Sequence, residues 1–320
     1  MKNNPRYIDF VLDYNTMCVS FYESNSIINK TDYTLENTVV NKIDKTFYWR
    51  AWSYGDKGKK WSPRLTNYEK RWSVPLLKSN LQKAVRQMKE DHAISSVLEL
   101  AILDCNVLLR RLPIIAIEDV TLIKGTSVVI WMMMQKKDYL YEKELKYILK
   151  YTLTLCKIKE TFASTISVSS LPKFDSIMNI MQENNNSEIG ALYIRSVYGG
   201  MKGDIMMLYQ AIDYYSRTNI EHIIDLDREV NIPEDVDFNH PILDSAIDFH
   251  PCPWIKYYIS KRTKLSQETI VNLIWNGESA LNLRKPLTIS VSKTTKDSDE
   301  WLIMLFYLVN ARKLASRKIS

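Results

Sequence analysis

Residues 72–120 read WSVPLLKSNLQKAVRQMKEDHAISSVLELAILDCNVLLRRLPIIAIEDV, and this stretch decides the fold. Its apolar residues recur every three or four positions, as at Leu77, Leu81 and Val85, which is the spacing of one face of an α-helix. The pattern begins at Trp72 and predicts a mainly α protein whose multi-helix body occupies 72–320. Further helices are predicted at 92–110, 111–122, 126–136, 141–160, 188–198, 203–217, 254–262, 266–276 and 298–316.

A small β-rich region at 1–71 precedes the helical body. Strands predicted at 7–12 and 17–22 flank the turn sequence at 13–15, which is typical of a hairpin. A third strand is predicted at 45–54. The fold class is therefore mainly α, with a β-rich N-terminal region.

Composition limits the chemistry. Hydrophobic residues at 46% and charged residues at 25% are ordinary for a folded globular protein. Only 8 of 320 residues are glycine, which disfavours glycine-rich phosphate loops and tight hairpins. The motif G-x-x-x-x-G-K-[ST] is absent from the sequence, so nucleotide hydrolysis by a Walker A loop is excluded.

The helical body consists of a first part at 72–160 and a second part at 186–320. The second part contains an acidic loop at 221–253, in which 221–248 hold nine acidic residues and one base, Arg228. The net charge of the chain is +6, so with −8 in this acidic strip the remainder carries +14. A basic body suits a polyanionic partner, and the strip suits either a metal site or docking onto the chain itself.

Cysteine usage and the N-terminus predict the compartment. The four cysteines are widely spaced and lack a C-x-x-C motif, which favours a reducing environment. Residues 1–9 lack the apolar core of a secretory signal. The most apolar runs, 127–134 and 301–309, are far shorter than the ~20 residues of a membrane span. We expect an intracellular protein without a membrane partner.

Aromatic and basic residues alternate between 47 and 72. Aromatic faces stack on bases and cations bind phosphates, so this pattern is typical of a surface for single-stranded nucleic acid. The alternative is that the aromatics face the core and 55–60 form a solvated loop. The stacking candidates are Trp52 and Trp61, and the phosphate-contact candidates are Lys57, Lys59, Lys60 and Arg64.

Two further motifs, SNLQKAVRQ at 79–87 and LLRRLPIIAIEDV at 108–120, stand about thirty residues apart. Together they resemble the C-terminal helical collar of the RarA/MgsA family of AAA+ ATPases, over about residues 73–135. The chain departs from the family pattern at Thr121, which replaces a glycine, and at Pro113, which is inserted. The matching residues are Ser79, Lys83, Arg86, Arg110, Arg111, Leu112, Glu118 and Asp119.

The resemblance implies a self-associating module used in DNA maintenance, without the family's ATPase. Lys83, Arg86, Arg110 and Arg111 then become phosphate-contact candidates. Taken from the residues alone, Arg110 and Arg111 end one helix, where positive charge suits the helix dipole, and the acids at 118–119 pair either with them or with Lys124.

Three of the eight glycines lie between residues 199 and 203. Backbone N–H groups in such a turn form an anion-binding nest at the start of a helix. The anion-binding candidates are Arg195, Gly199, Gly200 and Lys202. The alternative is a tight turn in which Gly199 caps one helix and Asp204 caps the next.

The acidic strip ends beside Asp248 and His250. Carboxylate and imidazole groups bind Mg²⁺, Mn²⁺ or Zn²⁺, and the two residues are also weak candidates for an acid/base pair. A polar cluster at 279–285 and the turn at 199–204 would complete an enzyme site. This arrangement would suit a metal-dependent nuclease or a phosphoryl-transfer enzyme using Mg²⁺ or Mn²⁺.

The sequence favours a non-catalytic, oligomeric protein of DNA replication, recombination or repair, encoded by a phage, virus or bacterium. Its expected partners are single-stranded or forked DNA and a second copy of the chain. The metal-dependent enzyme is one alternative. The other is a structural or assembly subunit of a virion or larger complex, whose aromatic residues form protein interfaces.

Overall fold

The computed structural model describes residues 6–23, 31–40, 47–162, 186–246, 253–274 and 282–284. The predictions at Asp248 and His250, most of the 279–285 cluster and the helix at 298–316 lie outside these ranges.

A four-stranded mixed sheet forms the N-terminal region. Its strands are β1 (Arg6–Asp13), β2 (Cys18–Glu23), β3 (Thr34–Val40) and β4 (Phe47–Tyr54), in the spatial order β2-β1-β4-β3. β1 is antiparallel to β2 and parallel to β4, and β3 is antiparallel to β4. The predicted hairpin and the strand ending at Tyr54 are confirmed, whereas β3 was not predicted.

One face of the sheet packs on the helices because strand side chains alternate between faces. Phe10 in β1 and Trp49 in β4 are fully buried on this face. The indole N–H of Trp131, from a helix, donates to the carbonyl of Phe10 at 2.9 Å. The sheet is thereby fixed to the helical body by both apolar contact and a hydrogen bond.

The described ranges contain nine α-helices. They are α1 (Val74–Arg86), α2 (Glu90–Leu103), α3 (Cys105–Asp119), α4 (Thr126–Gln135), α5 (Glu142–Lys157), α6 (Ser187–Val197), α7 (Lys202–Tyr215), α8 (Pro253–Ser260) and α9 (Gln267–Ile274). Every residue of α4 is buried, so this helix lies at the centre of the protein. A mainly α protein with N-terminal strands is confirmed.

The predicted division between helices at 110 and 111 is wrong. The break lies at Asp104, whose side chain accepts a hydrogen bond from the N–H of Val107 at 2.9 Å and so caps α3. Pro113 lies inside α3 rather than at its end. Its cost of about 3 kcal/mol is offset by the burial of the apolar residues around it.

The hydrophobic core is continuous from the sheet to the helices. The change of pattern at Trp72 therefore marks a change from strand to helix within one core. Among the described helices, none has the length and apolar character needed to cross a membrane.

The acidic strip docks onto the rest of the chain. Strand β5 (Arg64–Thr66) pairs in parallel with β8 (Asp235–Asp237), and a second short parallel pair joins β6 (Ile123–Lys124) to β7 (His222–Ile223). An ion pair joins Arg228 to Glu90, with a nitrogen–oxygen distance of 2.7 Å. Of the two expectations for the strip, the described part favours docking onto the chain.

Candidate nucleic-acid interface

The charged residues of the two collar-like motifs form an internal network between α1 and α3. The guanidinium of Arg86 contacts the carboxylate of Asp119 at 2.5 Å and that of Glu118 at 2.9 Å. Gln82 donates to the same Asp119 carboxylate at 2.9 Å and accepts a hydrogen bond from Arg111. These contacts hold the two helices together.

Two predicted phosphate contacts are therefore wrong. Lys83 is only 8% exposed, and the Arg86 guanidinium is held by two carboxylates. A buried, paired cation cannot reach a phosphate without leaving a carboxylate unpaired in the interior. Of the pairings stated above as the alternative, the contact of Arg111 with Glu118 is observed, whereas the pairing of both acids with Arg86 was not predicted.

Arg110 and Arg111 lie inside α3, not at its end as predicted, and they point in different directions. Arg111 contacts Glu118 at 3.6 Å and Asp204 at 3.8 Å. Arg110 is exposed, and its guanidinium carbon lies 5.7 Å from the ring centre of Tyr198. Arg110 is thus the member of the pair that faces solvent.

The glycine turn joins α6 to α7 beside Arg110. Gly199 has a φ of 99°, which glycine adopts readily, and ends α6 as the structural alternative expected. The capping residue of α7 is Met201, so the expectation that Asp204 caps this helix is wrong. Gly200, between Gly199 and Met201, is exposed. A Cβ at Gly200 would meet the Arg195 side chain only at an ordinary contact distance of 3.7 Å.

Arg195 stabilises this turn and does not face solvent as an anion ligand. It is 3% exposed and donates to the carbonyls of Gly199 at 2.8 Å and Arg110 at 3.2 Å. Burial, together with the positive charge of Arg110, lowers the pKa of Arg195 to about 10. Its prediction as a phosphate contact is wrong, whereas Lys202 is exposed in the first turn of α7.

A pocket of about 280 Å³ opens between the sheet and α6, and we call it the Tyr198 pocket. Its apolar walls come from the end of β3, from β4 and from α6: Val39, Val40, Trp49, Ile194 and Val197. Arg110, Lys136 and Tyr198 complete its lining. The pocket therefore combines apolar walls with two cations.

Lys136 was not predicted. It follows α4 directly in the left-handed conformation, with a φ of 55°, and its ammonium lies 5.8 Å from the ring centre of Tyr198. A cation also complements the negative dipole at the end of α4. The sequence signal was a Lys136-Lys137 pair immediately after an apolar helix. Arg110 and Lys136 thus both lie near the same tyrosine ring.

A second basic and aromatic group follows Lys136 in the chain and consists of Lys137, Tyr139 and, from the N-terminal region, Lys60. The ammonium of Lys60 lies 4.3 Å from the ring centre of Tyr139, and Lys60 is exposed. Lys137 contacts both this ring and the buried carboxylate of Glu144, at 2.5 Å. The two groups meet at the consecutive residues Lys136 and Lys137.

The remaining candidates of the aromatic and basic segment separate into exposed and engaged residues. Lys59 is exposed, whereas Lys57 is paired with Glu36. Arg64 is exposed but forms a two-contact ion pair with Asp235, at 2.6 and 2.9 Å. A phosphate must compete with a carboxylate at Lys57 and Arg64.

The two stacking candidates, Trp61 and Trp52, differ in burial. Trp61 is only 8% exposed, and its indole N–H donates to the carbonyl of Pro233 at 3.3 Å. Its prediction as a base-stacking residue is wrong because its rings pack in the core. Trp52 is half-buried on the sheet face away from the helices, and its indole N–H donates to Asp9 at 2.8 Å.

No cluster of three metal-binding side chains occurs within the described ranges. Comparison with models of known families, with curated proteins and with solved structures finds no match for the chain.

Proposed function

We propose that this protein binds the phosphate backbone of nucleic acid without catalysing a reaction. The observation that carries the proposal is that Arg110 and Lys136 lie within 6 Å of the same tyrosine ring at an apolar pocket. The exposed lysines Lys202, Lys59 and Lys60 are included in the proposed basic surface.

A second observation supports the proposed phosphate binding: the five cations Arg110, Lys136, Lys202, Lys59 and Lys60 differ in their ion pairing from the cations inside the fold. Among the described residues, none of these five cations forms an ion pair, whereas Arg86, Arg111 and Lys137 are held by carboxylates. A phosphate can therefore approach the five without displacing a carboxylate of the described ranges. Neutralising phosphates releases counterions, which makes binding strong at low salt and weak at high salt.

The resemblance of residues 73–135 to the RarA/MgsA collar supports a narrower proposal. The protein would act inside a bacterial or virus-infected cell on single-stranded or forked DNA during replication, recombination or repair. It would also self-associate, which sedimentation velocity at several protein concentrations would test.

The experiment compares two triple variants that remove the same charge. One replaces Arg110, Lys136 and Lys202 by alanine. The control replaces three exposed lysines outside the proposed surface, Lys89, Lys146 and Lys264. Fluorescence anisotropy is measured with single-stranded, forked and duplex DNA at several salt concentrations.

The first triple variant should lose most of its affinity. Its slope of log affinity against log salt should become shallower by about 2, because each phosphate contact on a single strand contributes about 0.7. The control should behave like the wild-type protein. Equal losses in both variants, or no binding by the wild-type protein, would contradict the proposal and favour an assembly subunit. Cleavage of the DNA in Mg²⁺ would favour the nuclease alternative.

A further inference from the structure

The Tyr198 pocket adds something that a phosphate-binding surface does not need. Phosphates bind on open surfaces through cations, but this pocket has apolar walls made of Val39, Val40, Ile194 and Val197, with Trp49 among them. Such walls gain free energy only from an apolar guest. The pocket therefore fits a ligand that carries an apolar group next to a negative charge.

Size restricts that group. Pockets for drug-sized ligands usually measure 300–1,000 Å³, and this one measures about 280 Å³. It has room for one ring system. Apart from the two cations, the lining consists of three valines, one isoleucine, the half-buried ring of Tyr198 and the buried indole of Trp49. A non-polar lining of this kind suits the faces of a planar base regardless of its hydrogen-bonding edge.

The two cations fix where the charge of the ligand lies. Arg110 and Lys136 both belong to the lining, and both lie within 6 Å of the Tyr198 ring. A nucleotide inserted base-first would leave its phosphates beside these two side chains. A base inside a duplex is stacked on both faces and cannot enter, so the ligand must supply an unstacked base.

We propose that the Tyr198 pocket takes one unstacked base of a single-stranded nucleic acid while Arg110 and Lys136 bind the adjoining phosphates. This inference rests on the proposed function and specifies its substrate class. It makes single strands and the unpaired arms of forks the preferred ligands. It also makes binding tolerant of base identity, because the walls present no fixed array of donors and acceptors.

The test fills the pocket without removing charge. Val40 lines the pocket and is 45% exposed, so Val40→Trp places a large ring there from a position that tolerates it. The matched control is Leu35→Trp, at a residue of the same strand that is 47% exposed and does not line the pocket. Binding of a thymidine trinucleotide is compared with binding of the same trinucleotide lacking its central base.

The wild-type protein should bind the intact trinucleotide about tenfold more tightly than the abasic one. Val40→Trp should lose about the same factor on the intact ligand and none on the abasic one, with an unchanged salt slope. Leu35→Trp should match the wild-type protein in its affinity for the intact trinucleotide, its affinity for the abasic one and its salt slope.

Other outcomes overturn the proposal in distinguishable ways. If Val40→Trp binds both ligands like the wild-type protein, the pocket does not hold a base, although the phosphate-binding surface can still stand. If the triple variant that lacks Arg110, Lys136 and Lys202 also binds normally, the proposed function itself fails. If thymidine monophosphate binds as tightly as the trinucleotide, the ligand is a free nucleotide and not a strand.

Discussion

Arg110 and Arg111 are consecutive residues of α3, yet one faces solvent over Tyr198 and the other is held by Glu118 and Asp204. Neighbours on an α-helix point about 100° apart, so the two side chains belong to different surfaces. This divergence separates a structural charge, at Arg111, from a proposed binding charge, at Arg110. It also supplies a pair of variants that control for each other.

Arg111→Met should destabilise the fold, while Arg110→Met should weaken nucleic-acid binding. Removing the Arg111 guanidinium takes away its contacts with Glu118, Asp204 and the side-chain oxygen of Gln82, while Glu118 keeps its ion pair with Arg86. We expect a loss of about 2 kcal/mol in unfolding free energy, measured by urea denaturation. Arg110→Met should stay within about 0.5 kcal/mol of the wild-type protein.

The same two variants are then compared by anisotropy with single-stranded DNA. Arg110→Met should flatten the salt slope by about 0.7, the share of one phosphate. Arg111→Met, where folded, should keep the wild-type slope. The opposite assignment of the two effects would contradict the division between them.

Stability should fall as pH rises through the neutral range because of Glu188. This carboxylate lies in the first turn of α6 and accepts hydrogen bonds from the N–H groups of Gly125 and Ser127, at 2.7 and 2.6 Å. Burial raises the pKa of Glu188 to about 7, although these hydrogen bonds act in the opposite direction. The folded chain thus keeps a proton that the unfolded chain has released.

The sign follows from proton binding. Between pH 4.5 and about 7 the folded state binds more protons than the unfolded state, so the unfolding free energy decreases with rising pH. Between pH 5 and 8 the wild-type protein should lose about 2 kcal/mol relative to Glu188→Gln, whose side chain does not titrate. Parallel pH profiles of the two proteins, measured by urea denaturation, would rule out this role of Glu188.

The helices and the hairpin could be predicted because their signals are local. Apolar periodicity follows from the face that a helix buries, and Asp13 to Asn15 form a turn between two apolar runs. β3 could not be predicted because Thr34–Val40 is largely exposed and lacks an apolar face. Its strand conformation depends on pairing with β4, which is a tertiary contact.

The residues of the candidate site were predicted only in part, because the sequence of a helix does not reveal which group its charged side chains contact. Arg86 carries the same charge as Arg110, but Asp119, 33 residues away, folds against it. No local pattern distinguishes the two. Lys136 was missed because its place beside Tyr198 depends on how α4 and α6 pack together.

Neutralising Asp235 should strengthen nucleic-acid binding. Asp235 forms a two-contact ion pair with Arg64 on the surface, where 75% of the Arg64 side chain is exposed. Asp235→Asn removes the competing carboxylate and leaves Arg64 available to a phosphate. The salt slope should steepen by up to 0.7 on single-stranded DNA, with little change in melting temperature.

Glu234→Gln is the matched control because it removes another exposed negative charge next to the same strand, and Glu234 forms no ion pair with the described residues. If Glu234→Gln steepens the slope as much as Asp235→Asn, net charge and not the release of Arg64 explains the effect.

Gly199 should be required for the turn that presents Tyr198 and Lys202, whereas Gly203 should not. Gly199 has a φ of 99°, a conformation that costs a residue with a side chain about 1–2 kcal/mol. Gly203 lies in the first turn of α7, and a Cβ there would meet nothing within 4 Å. In urea denaturation Gly199→Ala should lose about 1 kcal/mol of unfolding free energy, while Gly203→Ala should gain about 0.5 kcal/mol from helix propensity.

Because the turn carries two members of the proposed binding surface, Tyr198 and Lys202, Gly199→Ala should also weaken DNA binding. A variant that is destabilised but binds normally would show that the position of the turn does not matter for binding.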